Sequence, residues 1–291
     1  MSTRHEQGYR EIAPGRSGYW QAWLPQDPAR AVVVIVHGLH EHSARYAHVG
    51  ARLAAAGFAA YAADHRGHGR SDGRRANIER MALIVADLSS FVRFALERQP
   101  NLPVFMLGHS LGGLIALHYA SEPRATQPRT VLAGLVVSGP AVQARAGSAL
   151  QRRLAGVFSA LVPNLGVVAL DADQKISRDP EVIRAYRADP LVYCGKLKAR
   201  TGAEILATME DLPARLPRLS LPLLLLHGTE DRICRPAGSA MVHDTVSSPD
   251  KTLHHCQGLY HEVFNEPERE AILTHLLSWL TQHLPTPHSA G

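Results

Sequence analysis

Gly108-His109-Ser110-Leu111-Gly112-Gly113 sets a hydroxyl among small residues, between an apolar run (103–107) and a segment of helical length (111–120). The G-x-S-x-G spacing in a strand–turn–helix setting needs a turn so tight that only small residues fit at 108 and 112, and it lifts the serine above the sheet. A serine hydroxyl is a poor nucleophile at neutral pH. It needs an imidazole to take its proton and a carboxylate to orient that imidazole. On such a scaffold the chain order is Ser, then Asp or Glu, then His. The segments His227-Gly228-Thr229-Glu230-Asp231 and Gly258-Leu259-Tyr260-His261-Glu262 follow the last two strand-like runs and supply both partners to Ser110. His261 is read as the base, because its rivals His254 and His255 fall inside a strand-like run. Asp231 is read as the acid, with Glu230 as its near competitor.

Two backbone N–H groups must meet the oxyanion that develops on the attacked carbonyl. One belongs to Leu111, the residue after the nucleophile. The other is placed at Leu39, in the loop His37-Gly38-Leu39-His40-Glu41-His42-Ser43. The chain has 17 histidines, six of them between His37 and His68, which raises a metal as the competing chemistry. The string H-x-x-H-x-H at 37–42 lacks the Asp-His that would complete a metallo-β-lactamase-type motif. His65 and His68 lie in a Gly- and Arg-rich turn rather than one helical turn apart, and Arg66 and Arg70 would repel a cation. No metal site is expected.

The elements that must position these groups follow from hydrophobic pattern. The runs 31–36, 58–63, 103–107, 131–137 and 221–226 read as strands buried on both faces, and 251–256 as a weaker one. Helix-length segments lie at 46–56, 78–99, 111–120, 237–246 and 267–283. This alternation predicts a mostly parallel sheet flanked by helices, with ligands bound at the carboxyl ends of the strands. The alternation lapses for about eighty residues, too long for a structureless loop. An inserted, mainly helical cap is expected at 140–218, between core segments 1–139 and 219–291. Leu154 to Leu170 carries no charge, but at 17 residues with Pro163-Asn164 inside it is too short and too broken to span a bilayer. It reads as an apolar surface segment. The remaining composition mainly excludes. At 45% hydrophobic and 20% charged the chain is globular. A net charge of +5 without a basic block argues against nucleic-acid binding. Three scattered cysteines make neither a disulfide framework nor a zinc site. The polar first twenty residues carry no secretory signal, so a cytoplasmic location is expected.

With these residues in place the sequence resembles the monoacylglycerol lipases, serine hydrolases of the α/β-hydrolase superfamily. The resemblance covers about residues 18–283. It rests on HGLHEHSARY (37–46), DHRGHGRSDG (64–73), GHSLGG (108–113), HGTEDRIC (227–234), the DKTL…GLYHE run (250–262) and Asp189-Pro190-Leu191. It implies hydrolysis of a monoacylglycerol lipid to fatty acid and glycerol with no metal or organic cofactor. It favours Asp231 over Glu230. It also implies a cap whose apolar outer face, here 154–170, makes peripheral contact with a membrane. Glu41, His42 and Arg45 correspond to a polar cluster beside the oxyanion loop, and a Glu41–Arg45 pair would hold that loop. His40 departs from the small residue usual at its position and would sit near the mouth of the site. A broader carboxylesterase or a lysophospholipase is the alternative, and oligomeric state is left open.

Overall fold

The computed structural model describes residues 3–122, 132–143, 161–169 and 175–285. A hairpin of β1 (Arg4–Ala13) and β2 (Arg16–Leu24) precedes β3 (Ala31–Val36), α1 (Ala47–Ala55), β4 (Phe58–Ala63), α2 (Met81–Arg98), β5 (Val104–His109), α3 (Leu111–Ser121) and β6 (Leu132–Ser138). Then come β7 (Gly166–Val168), α4 (Pro180–Ala188), β8 (Leu197–Lys198) and α5 (Ala199–Arg215). The chain closes with β9 (Leu223–Gly228), α6 (Pro236–Thr245), β10 (Lys251–Cys256) and α7 (Arg269–Gln282).

Eight strands form one sheet in the order β1-β2-β4-β3-β5-β6-β9-β10. It is parallel from β4 to β10, with β1 and β2 antiparallel at one edge. Strand alternation divides its side chains between two apolar layers. Val32, Val34, Val36 and Met106 face α2 and α3; Val33, Ile35, Phe105 and Leu107 face α1 and α7. The expected strands and helices all form, within a few residues of their expected limits. The hairpin at 4–24 was not anticipated. Its first strand alternates exposed and half-buried residues, so Arg4, Glu6, Arg10 and Glu11 disguise it as polar chain. Its second strand is the buried partner, with Trp20 and Trp23 on opposite faces of the sheet.

The parallel register brings the strand ends level. Val36 pairs with Gly108, His109 with Ser138, Ser138 with Leu226 and Gly228 with Cys256. All the loops that carry candidate site residues leave from this one rim. Between β6 and β9 the described residues contain α4, α5 and the short antiparallel pair β7–β8. α5 packs on α2 and α3 and sends Ile205 and Leu212 into the core beside the sheet. The apolar segment noted at 154–170 is described only over 161–169; its remaining residues lie outside the described ones. No helix among the described residues is long and apolar enough to cross a membrane.

Candidate active site

Ser110 stands at the turn between β5 and α3 with φ 53° and ψ −117°, a left-handed conformation that costs a non-glycine residue about 1–3 kcal/mol. The surroundings enforce it. Ser110 N donates to Ser138 O at 2.9 Å, and the Ser110 carbonyl takes the N–H groups of Leu114 and Ala141 at 3.1 and 3.0 Å. A Cβ at Gly112 would lie 2.0 Å from Val36 O, so glycine is required for α3 to pass so close to β3. The turn thus presents the hydroxyl at the rim, half-buried, while His109 and Leu111 on either side are buried.

The contacts distinguish the two candidate carboxylates. Asp231 is buried and its Oδ2 takes His261 Nδ1 at 2.7 Å and His227 Nε2 at 3.1 Å. Its Oδ1 takes the N–H groups of Ile233 and Cys234 at 2.7 and 2.9 Å. Burial alone would raise this carboxyl, but His261 and His227 hold it well below the usual carboxylate range. Glu230 is exposed. The His261 ring lies 4.6 Å from the ring of His109, the residue before Ser110. Burial lowers the His261 imidazole; the facing Asp231 outweighs that and raises it above its ordinary value. Because Nδ1–H is given to Asp231, Nε2 is the basic nitrogen. His109 goes the other way: buried and beside His261, it is pushed down to about 4 and stays neutral. His255 is exposed, and His254 stacks on His275 at 4.5 Å on the far side of β10.

The loop at 37–46 is held by side chains at nearly every turn. His37 Nε2 takes the N–H of His65 at 2.9 Å, so the ring proton sits on Nδ1, which donates to Gly38 O at 2.8 Å. A trans peptide sets C=O and N–H in opposite directions. Pinning Gly38 O on His37 therefore turns the Leu39 N–H away from His37. Gly38 N donates to Glu41 Oε1 at 2.6 Å, and a Cβ at Gly38 would come 3.3 Å from Ser110 Cβ. Glu41 also takes Tyr46 Oη at 2.7 Å and Arg45 Nη1 at 2.6 Å, and Arg45 grips Glu262 with both Nη atoms at 2.7 Å. Asp64 takes Ser43 N and Arg70 N, each at 2.8 Å, joining the 64–73 turn to this loop.

The clustered histidines are thereby placed. His37 and His65 brace backbone; His65 Nε2 donates to His37 O at 3.1 Å. His42 reaches out of the loop to Asp189 at 2.8 Å. Three ring nitrogens of the cluster, His40 Nε2, His42 Nδ1 and His68 Nε2, are buried without a hydrogen-bond partner, and of these residues only His40 has a left-handed backbone. It has φ 68°, is buried edge-on against Tyr193 at 4.8 Å between ring centroids, and its Nε2 has no hydrogen-bond partner. Burial, with Lys198 and Arg75 nearby, pushes this imidazole down to about 4. Among the described residues no group of three or more His, Cys, Asp or Glu converges at metal-binding spacing. The roles of His37, His65, His227 and Glu262 escaped the sequence reading. Glu262 had a faint signal, a carboxylate next to the base, but its partner Arg45 lies 217 residues away.

A parallel sheet with antiparallel strands at one edge, a strained serine at the turn from β5 to α3, and an acid–imidazole pair at the ends of β9 and β10 together define an α/β-hydrolase. The family model described as serine aminopeptidase, S33, matches residues 27–268. The monoacylglycerol lipase of Mycolicibacterium smegmatis is 43% identical over 97% of this chain and 99% of its own. The monoglyceride lipase of Homo sapiens is 33% identical over 96% of this chain and 91% of its own. Among solved structures, the Paleococcus ferrophilus monoacylglycerol lipase is 30% identical with a TM-score of 0.77, covering 97% of this chain and 100% of that one. The chain belongs to the monoacylglycerol lipase family and is a carboxylic ester hydrolase.

Proposed function

We propose that this enzyme cleaves monoacylglycerols to fatty acid and glycerol through an acyl-enzyme on Ser110. The observation that carries the reading is the buried Asp231–His261 pair beside the strained serine, facing a loop in which Gly38 is pinned at both its carbonyl and its N–H. Ser110 Oγ bonds to the ester carbon while its proton passes to His261 Nε2. The resulting imidazolium is stabilised by Asp231, and the oxyanion by the Leu39 and Leu111 N–H groups. The ester C–O bond then breaks and His261 returns the proton to the departing glycerol. Water, deprotonated by His261, attacks the acyl-enzyme and releases the fatty acid. Every proton moved is carried by His261, and no cofactor is called for.

Glu41 and Arg45 support the oxyanion loop, and His42 ties it to Asp189 ahead of the 190–198 stretch. His40 is a head-group contact. A strained backbone and an unpartnered buried imidazole nitrogen, the latter costing about 1–3 kcal/mol, make sense where a substrate hydroxyl completes the bond. The cap function falls to the residues between β6 and α5, with α5 itself rooted in the core. Leu161, Val162, Leu165, Val167 and Val168 are all exposed, and we assign them peripheral contact with a lipid surface.

Ser110→Ala tests the chemistry. Esterase activity should fall about 10⁴–10⁶-fold, and retention of a tenth of it would refute the assignment. A panel of one acyl chain on glycerol, diacylglycerol, triacylglycerol and lysophospholipid tests the substrate. Monoacylglycerol should be turned over fastest; faster lysophospholipid hydrolysis would overturn the head-group reading.

A further inference from the structure

Glu262 follows the base in sequence and is buried with it. Besides both Nη atoms of Arg45 it takes Asn265 Nδ2 at 2.8 Å, and its own N–H is given to Ile176 O at 2.8 Å. Arg45 continues to Glu41 Oε2, and Glu41 to the Gly38 N–H. An unbroken path of charge-assisted hydrogen bonds therefore runs from the residue beside His261 to the N–H of Gly38, the residue just before the Leu39 donor. The Tyr186 ring of α4 covers Arg45 at 4.7 Å.

We propose that Glu262 is a positioning residue that fastens the base's loop to the oxyanion loop through Arg45 and leaves the cluster with one uncompensated negative charge facing His261. The charge count carries the argument. Two carboxylates share one guanidinium, and a Glu41–Arg45 pair alone would already have been neutral and able to hold the loop. Surplus buried charge is expensive unless a counter-charge appears. Around His261 the titratable groups are Asp231, His109, Glu262 and Glu41, with His227 behind Asp231. None is a cation, since His109 is held neutral. With Asp231 counted as well, the resting set carries two surplus negative charges, and the imidazolium that His261 becomes during each acyl transfer offsets one of them. Glu262 thus supplies charge complementarity to the reacting state rather than to the resting one, and both Glu262 and Glu41 raise the His261 imidazole along with Asp231.

This inference rests on His261 being the base. The test is Glu262→Gln, which keeps an acceptor for Arg45 and deletes the charge, with kcat and KM measured across pH on a water-soluble ester. The acid limb of kcat/KM should move to lower pH by about half a unit or more, and kcat should fall about tenfold or more with KM within about threefold. Glu262→Asp, which keeps the charge, should leave the limb in place. A folded Glu262→Gln enzyme with the wild-type limb and kcat overturns the proposal. Should that variant not fold, Arg45→Lys, which keeps the charge and loses the fork, must lower kcat with an unmoved limb, and an undiminished kcat overturns it. Ser110→Ala separates the two failures. If it is inactive while Glu262→Gln behaves as wild type, only this inference falls; if it is active, the base reading falls first.

Discussion

The loop at 37–46 and the segment at 161–168 treat their polar and apolar groups in opposite ways. In the loop, buried side chains are used to pin backbone: His37 on Gly38 O, Glu41 on Gly38 N, Asp64 on Ser43 N. In the segment, Leu161, Leu165 and Val168 leave about half or more of their surface to solvent, and none has a place in the apolar clusters of the core. The first region buries charge to fix backbone in place. The second leaves hydrocarbon uncovered. Under the proposed function the difference separates the chemical step, which needs preorganised dipoles, from delivery of a lipid, which needs only surface of the right polarity.

Substitutions can break that division or sharpen it. The largest effect belongs to Asp231→Asn, expected to lower kcat about 10⁴-fold, while Glu230→Gln stays within about twofold, since Glu230 is exposed; assays of the two variants side by side check this. Glu41→Gln loosens Gly38, Tyr46 and Arg45 together, and steady-state kinetics should show kcat down about 10²–10³-fold with KM little changed. The pH profile comes next. The base works neutral and its imidazole is raised, so the acid limb of kcat/KM should lie above the ordinary value of 6.5, with rate falling about tenfold per pH unit below it. Leu165→Ser with Val168→Ser should weaken partition onto lipid vesicles about tenfold in a sedimentation assay and leave hydrolysis of a water-soluble ester as it was. Equal loss in both assays would erase the distinction between the regions. The smallest effect is Asp189→Ala, which removes the partner of His42 and should change KM for a long-chain substrate a few-fold.

Stability against pH follows from the same pair with opposite signs. The Asp231 carboxyl is depressed, so its ionisation favours folding above the ordinary carboxylate value near 3.8, and that support is lost as pH falls through the native value. The His261 imidazole is raised, so its contribution is complete below 6.5 and disappears as pH rises through the native value.

Much of this was legible in the sequence because strand ends announce themselves. The uninterrupted β-branched run at 31–36 and the G-x-S-x-G turn located β3, β5 and the strained turn at Ser110 without any knowledge of partners. The meeting of Asp231 with His261 was legible because each follows a strand, and parallel register brings the strand ends to one rim. Two kinds of information were not legible. The β1–β2 hairpin has a solvated strand at a sheet edge, where alternate charges mimic loop. The Arg45–Glu262 and His37–His65 contacts join residues far apart in sequence, and their tautomers and charges are set by burial that no local pattern encodes.

The order of the strands has a consequence in time. Domains form as synthesis proceeds, at about 5–20 residues per second. The nucleophile turn and the oxyanion loop lie in the first half of the chain, whereas β9, which leads to Asp231, and β10, which leads to His261, are made last and occupy one end of the sheet. A nascent chain holding every strand through β6 still lacks the Asp231–His261 pair. The Asp231–His261 contact forms only once β10 has docked on β9, so the exposed apolar segment at 161–168 is made before that pair exists.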